Sequence, residues 1–256
     1  MTAMVDRAAA WDDLTSGTTS AGVFDSATLE GLPDPARRFL ASSVKHGVDL
    51  VPTVVLEMEG EIRLKDWTEF HGRQVLRAGY GFVWEAVAGN PLLSVRGGDS
   101  YWQGRGALDF KLWGVIPIVR NSGPEVDKSA AGRLAAETVV WVPQALTPQM
   151  GVSWTPFDAD SATVAVPVPE GVVDVTVSVD QRGHPSRITM QRWGDPGQEP
   201  YGLYPFGGDL EEHADIGDVT IAIAGRVGWF WGTDRQQEGE FFRFRITDAA
   251  VGESLG

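Results

Sequence analysis

The stretch TVVLEMEGEIRL, residues 53–64, alternates with a period of two. Val54, Leu56, Met58, Ile62 and Leu64 fall on one side; Val55, Glu57, Glu59, Glu61 and Arg63 fall on the other. Successive side chains of a strand point to opposite faces, so the pattern predicts an antiparallel strand with one face on a core. VVDVTVSVD, residues 172–180, repeats it, with Val173, Val175, Val177 and Val179 opposing Asp174, Thr176, Ser178 and Asp180. Further strands are expected near 68–77, 80–87, 92–97, 100–105, 107–113, 152–157, 161–167, 185–192, 205–215, 218–231 and 239–248, most of them separated by Gly-containing turns.

Two segments break the alternation. Ala36, Phe39, Leu40 and Val44 recur at helical spacing behind Asp34, a plausible cap. SGPEVDKSAAGRLAAETVVWVPQAL, residues 122–146, offers Asp127 or Ser129 as an N-cap, then Leu134, Thr138 and Trp141 on one helical face, with Pro143 kinking or ending the helix. There is no βαβ alternation. The expected class is mainly β with helices (α+β): a curved antiparallel sheet or open half-barrel of about a dozen strands, closed by helices. Residues 1–25, rich in Ser, Thr, Ala and Asp, read as a flexible N-terminal arm. Residues 26–256 read as a single β-rich barrel-like domain.

Composition narrows the function classes. The chain has 256 residues and a formal net charge of -14, from 21 basic and 35 acidic side chains. An acidic surface cannot displace counterions from phosphate, which argues against nucleic acid and against anionic membrane surfaces. With no cysteine, disulfides and thiolate chemistry are absent. The first 25 residues lack a signal-peptide pattern, and no apolar run reaches the roughly 20 residues of a bilayer span. Cytoplasmic residence without stable membrane insertion is expected. Oligomeric state is left open.

Ten tryptophans are the compositional anomaly. Trp84, Trp102, Trp113, Trp141, Trp193, Trp229 and Trp231 fall on expected strands or on the central helix. Each ring offers a large apolar surface and one N–H donor, which suits a ligand-binding wall and equally suits core packing. Among them stand the candidate catalytic groups. Glu137 follows Leu134 by three residues and precedes Trp141 by four; in apolar surroundings its pKa would rise and it would serve as acid or base. Its structural alternative is an i, i+4 ion pair with Arg133. Asp195 in RWGDP, and Asp234 and Arg235 in GWFWGTDR, lie at strand ends, where the aspartates would pair with Arg235 or Arg192, or merely form turns. Tyr101 with Asp99 is a further pair. His46, His71, His184 and His213 show no metal-ligand spacing, and no nucleotide or phosphate cradle appears, so no metal or cofactor is expected.

LPDPARRFL, MEGEIRL, GFVWEA, the 122–146 segment, RWGDP and GWFWGTDR occur in the order found in a bacterial family catalogued as a domain of unknown function, which this chain resembles from about residue 30 to about residue 248. The order of helix, strands, helical insert and strands is distantly similar to the LolA/LolB lipoprotein-carrier fold. That resemblance implies a half-barrel closed by helices over an apolar cavity that takes acyl chains. It implies no catalytic residue. The expected function is binding of a lipid-like or polycyclic hydrophobic small molecule in a Trp-lined cavity. The alternative is an enzyme performing acid/base chemistry (cyclisation, isomerisation or hydrolysis) on a hydrophobic metabolite there. A partner-binding module would show an exposed apolar patch instead.

Overall fold

The computed structural model describes residues 4–16, 19–90 and 92–252. Three longer helices, α1 (Arg7–Thr15), α2 (Asp34–Ser43) and α3 (Pro124–Trp141), accompany the strands. The alternating stretch at 53–64 forms β1 (Thr53–Arg63). It is followed by β2 (Trp67–Arg77), β3 (Gly81–Asn90), β4 (Leu93–Trp102), β5 (Arg105–Leu112) and β6 (Ile116–Ser122). After α3 come β7 (Ser153–Pro156), β8 (Ser161–Val168), β9 (Gly171–Val179), β10 (Pro185–Gly194), β11 (Gly202–Ile216), β12 (Val219–Trp229) and β13 (Glu240–Val251).

Among the described residues all thirteen strands belong to one sheet, in the order β6-β5-β4-β3-β2-β1-β13-β12-β11-β10-β9-β8-β7. Every pairing is antiparallel. The chain therefore starts mid-sheet at β1 and steps outward to β6 at one edge. It crosses to β7 at the opposite edge, then steps back to β13, which pairs with β1 through Leu56 opposite Ala249 and Glu61 opposite Arg243. The crossing element is α3, which touches β4, β5, β8, β9, β10 and β12. A helix that joins the two edges of a curved sheet lies across its hollow, and this one does.

Curvature is written into the strands. A Cβ on Gly60 would sit 2.0 Å from the Arg243 carbonyl oxygen, so β1 and β13 approach closely there only because the residue is glycine. A register shift between Glu57 and Met58 adds a bulge on the same pair. The sheet is curved but unclosed, as expected of an open half-barrel and unlike a closed β-barrel: β6 and β7 are its free edges. β6 exposes Ile116, Ile118 and Val119, the neighbouring turns expose Leu92, Trp113 and Val115, and the start of β4 exposes Leu93. An apolar edge patch thus coexists with the enclosed core.

The convex side corrects the reading of residues 1–25. Asp6 accepts hydrogen bonds from the amides of Ala8 and Ala9 and caps α1. Ala10 and Leu14, one turn apart, bury against Val55, Val75 and Val83, the outward side chains of β1, β2 and β3. An apolar pair at i, i+4 behind a capping aspartate was the overlooked signal; positions 1–3, 17 and 18 lie outside the described residues. Other boundaries differ in smaller ways. Pro33 occupies the cap position of α2, with Asp34 in the first turn. Gly123, at φ 124°, caps α3, which begins at Pro124; Asp127 instead accepts the Gly106 amide at 2.6 Å and ties the helix to β5. The segments 92–97 and 100–105 belong mainly to one strand, β4. No described helix is long and apolar enough to cross a membrane.

Candidate functional site

Arg133, Ala136, Glu137, Val140 and Trp141 recur on α3 at i, i+3, i+4, i+7 and i+8, which places them on one helical face. That face looks into the hollow of the sheet. Opposite it, strand alternation presents Leu108 and Phe110 from β5, Ile188 and Arg192 from β10, Val227 and Trp229 from β12, and Phe242 and Phe244 from β13. With Ile62, Trp84, Asp99, Phe206 and Phe241 these side chains enclose a cavity of about 270 Å³. Trp84, Val140, Trp141, Ile188, Phe206 and Phe244 are buried and form the inner wall, whereas Ile62, Phe110, Trp229, Phe241 and Phe242 are half-buried and form its rim.

The wall is an aromatic network. Trp84 meets Phe242 edge-on at 6.0 Å between ring centroids, Trp141 meets Phe244 at 5.4 Å, and Trp229 meets Phe206 at 5.1 Å. Such contacts hold rings in place beyond simple area burial, so the cavity is pre-shaped.

Four charged groups face this apolar space. Arg133 Nε donates to Glu137 at 2.6 Å, Nη1 to Asp99 at 2.6 Å, and Nη2 to the Gln74 side-chain oxygen at 3.1 Å. Gln74 Nε2 donates to the other Glu137 oxygen at 2.6 Å. Both Glu137 oxygens and all three Arg133 nitrogens are thus occupied within the cluster. The i, i+4 ion pair expected as the structural role of Glu137 forms, and it is extended by two further strands. Burial raises the Glu137 pKa, against the pull of Arg133. For Arg133 burial disfavours the charge, but Asp99 and Glu137 outweigh it and the pKa is raised. Arg192 is different. Its Nε donates to the Ser129 carbonyl at 3.2 Å, its guanidinium lies over Phe206 and Trp229, and it forms no ion pair among the described residues. Burial, joined by the Arg133 charge, pulls its pKa down to about 10, so it remains a cation at neutral pH.

A pH dependence follows from Glu137. A carboxyl with a raised folded pKa holds its proton more tightly folded than unfolded, so its contribution is fully present below the ordinary carboxylate value and is lost as pH rises through the raised one. Chemical denaturation of the protein and of Glu137→Gln between about pH 4 and about pH 8 is expected to show a stability decline that the variant lacks. Parallel curves would mean that Glu137 keeps an ordinary pKa.

Of the seven tryptophans singled out, Trp84, Trp141 and Trp229 line the cavity. The other four lie elsewhere. Trp102 donates to Asp13 and packs beside α1 on the convex side. Trp113 is exposed in the β5–β6 turn. Trp193 donates to Glu125 beneath Lys128. Trp231 is buried but turned toward Asp209. Of the candidate acid/base groups Glu137 reaches the cavity, as does Asp99, the neighbour paired with Tyr101 in sequence. Tyr101 is fully buried and donates to Glu170; burial and that carboxylate raise its pKa. Asp195 and Asp234 are exposed. Arg235 pairs with Glu199 at 3.0 Å and Glu238 at 2.8 Å rather than with either aspartate. No cluster of three metal-ligating side chains occurs among the described residues.

No curated protein is similar in sequence. Among solved structures, the chain is similar to an outer membrane lipoprotein-sorting protein domain from Vibrio parahaemolyticus, at 10% identity over 89% of this chain and 95% of that one, with a TM-score of 0.45. It is also similar to a LolA superfamily protein from Nitrosomonas europaea, at 11% identity over 80% and 86% of the two chains, with a TM-score of 0.37. The model of a family of unknown function, DUF6544, matches residues 22–243, and the chain belongs to that family.

Proposed function

We propose that the cavity between α3 and the concave sheet binds a lipid-like or polycyclic hydrophobic small molecule. The observation that carries this reading is a part-open aromatic cavity of about 270 Å³ whose wall is held by ring-on-ring contacts. Dry apolar cavities of roughly 150 Å³ already take up benzene, and ligand pockets begin near 300 Å³. The half-buried rim at Phe110, Trp229 and Phe242 offers a way in. Acid/base chemistry on the same molecule has less support. Its candidates that face the cavity, Glu137 and Asp99, both accept from Arg133, and the second Glu137 oxygen is bonded to Gln74.

Native mass spectrometry of the purified protein, with titration of the neutral apolar dye 1-N-phenylnaphthylamine, tests the reading. Saturable one-site binding with quenching of tryptophan emission is expected. A folded protein that carries no apolar adduct and leaves the dye in water would overturn it.

A further inference from the structure

Arg192 lies 9% exposed against the inner wall of the cavity. Its stem crosses α3 at Gly132, where an added Cβ would come within 3.0 Å of the Arg192 Cγ. Glycine in the middle of a helix costs about 1 kcal/mol relative to alanine, so this passage for the stem is kept at some cost to α3. The guanidinium carbon Cζ lies over the Phe206 ring, 4.5 Å from its centre, and over that of Trp229 at 5.1 Å. Only Nε has an acceptor, the Ser129 carbonyl, which leaves both terminal nitrogens without one among the described residues.

The contrast with Arg133 gives this its meaning. All three Arg133 nitrogens meet acceptors in a closed cluster with Asp99, Glu137 and Gln74. Neither carboxylate forms an ion pair with Arg192. A buried guanidinium normally has a carboxylate or several acceptors, because desolvating an unpaired cation is expensive. The two ring faces recover part of that cost. They leave the in-plane N–H groups free, and those are the donors that grip a carboxylate or phosphate with two parallel bonds.

We infer that the molecule held in this cavity is an anionic amphiphile, its apolar body against Trp84, Trp141 and Phe244 and its carboxylate or phosphate headgroup on the terminal nitrogens of Arg192. This rests on the apolar-binding reading above and adds the headgroup to it. Arg133 takes no part in holding the anion, since its charge is already met by Asp99 and Glu137.

The test compares dodecanoate, dodecyl phosphate and dodecanol by isothermal titration on the full chain and on Arg192→Met and Arg192→Lys. At least one anion should bind the unaltered protein roughly 10- to 100-fold more tightly than the alcohol, the range for hydrogen bonds to a charged group. The preferred anion identifies the headgroup as carboxylate or phosphate. Arg192→Met should erase the preference while leaving dodecanol binding intact, and Arg192→Lys should retain part of it. Dodecanol binding as tightly as both anions, or a preference that survives Arg192→Met, would overturn the headgroup assignment and leave the apolar cavity standing. Failure of all three ligands and of the neutral dye would instead remove the reading beneath it. Thermal melting of each variant establishes that it is folded; loss of an unpaired buried charge is expected to leave the midpoint of Arg192→Met unchanged or higher.

Discussion

Arg133→Met is expected to lower the unfolding free energy by about 3–5 kcal/mol, the range found when one partner of a buried ion pair is removed. The side chains of Arg133, Asp99 and Glu137 are only 16%, 20% and 15% exposed, so water can do little to replace the lost guanidinium. Methionine fills much of the space but leaves the Asp99 carboxylate, one Glu137 oxygen and the Gln74 amide oxygen without the donor each had, Gln74 still donating to the other Glu137 oxygen. Protonation of Glu137, already favoured by burial, would relieve part of the repulsion between the two carboxylates, so the deficit should shrink as the solution is made more acidic. Arg133→Lys should fall between the two proteins: it keeps the charge, but one ammonium cannot serve three acceptors as a planar fork does. Equilibrium denaturation in urea at about pH 7 and about pH 5 measures all of this. A loss below about 1 kcal/mol would place the cluster with solvent-screened surface pairs.

How legible this architecture was depends on the range of the interaction that determines each part. Strand alternation at 53–64 and 172–180 is local, and both segments are strands facing the core as their valines and leucines require. α3 was legible as a helix but not at its start, because Gly123 and Pro124 begin it without any side-chain cap. α1 was missed because its apolar signal is two residues, Ala10 and Leu14, in a small-residue segment. That the sheet stays open, with β13 returning to pair with β1, depends on contacts about 190 residues apart in sequence, and no local pattern carries it.

The site divides in the same way. Glu137 with Trp141 followed from helical spacing, and the Arg133 pair from i, i+4 geometry. Asp99 and Gln74 reach that pair only because β4 and β2 pass beneath α3, so nothing near Arg133 in sequence announces them. Tryptophan composition was a weaker guide than it first seems. Trp102, Trp113, Trp193 and Trp231 spend their N–H groups on Asp13, Leu92, Glu125 and Asp209, and so fasten helices, turns and strand ends to the sheet. Much of the cavity wall is phenylalanine. The alternation of Phe242 and Phe244 in EFFRFRI was a readable signal, as was that of Leu108 and Phe110.

Substitution at Ala136 separates ligand space from packing. Ala136 is buried in the middle of the cavity-facing stripe of α3, one turn from Arg133 and Val140. A phenylalanine there has the cavity itself to occupy. Binding of the apolar dye is therefore expected to weaken by at least about 30-fold in Ala136→Phe, equivalent to about 2 kcal/mol of excluded contact, comparable to burying one large apolar side chain. Leucine should give an intermediate loss, and Ala136→Gly should bind as the unaltered protein does despite about 1 kcal/mol of helix destabilisation. Stability should move the other way from binding across the series, because a side chain entering a void regains contacts that the empty wall lacks. That opposite movement is the informative result. If Ala136→Phe melted several degrees lower and still bound the dye, the ring would have been forced into close-packed core and the ligand would be bound elsewhere. If it melted at or above the original midpoint with binding abolished, the space beneath α3 would be the ligand's own.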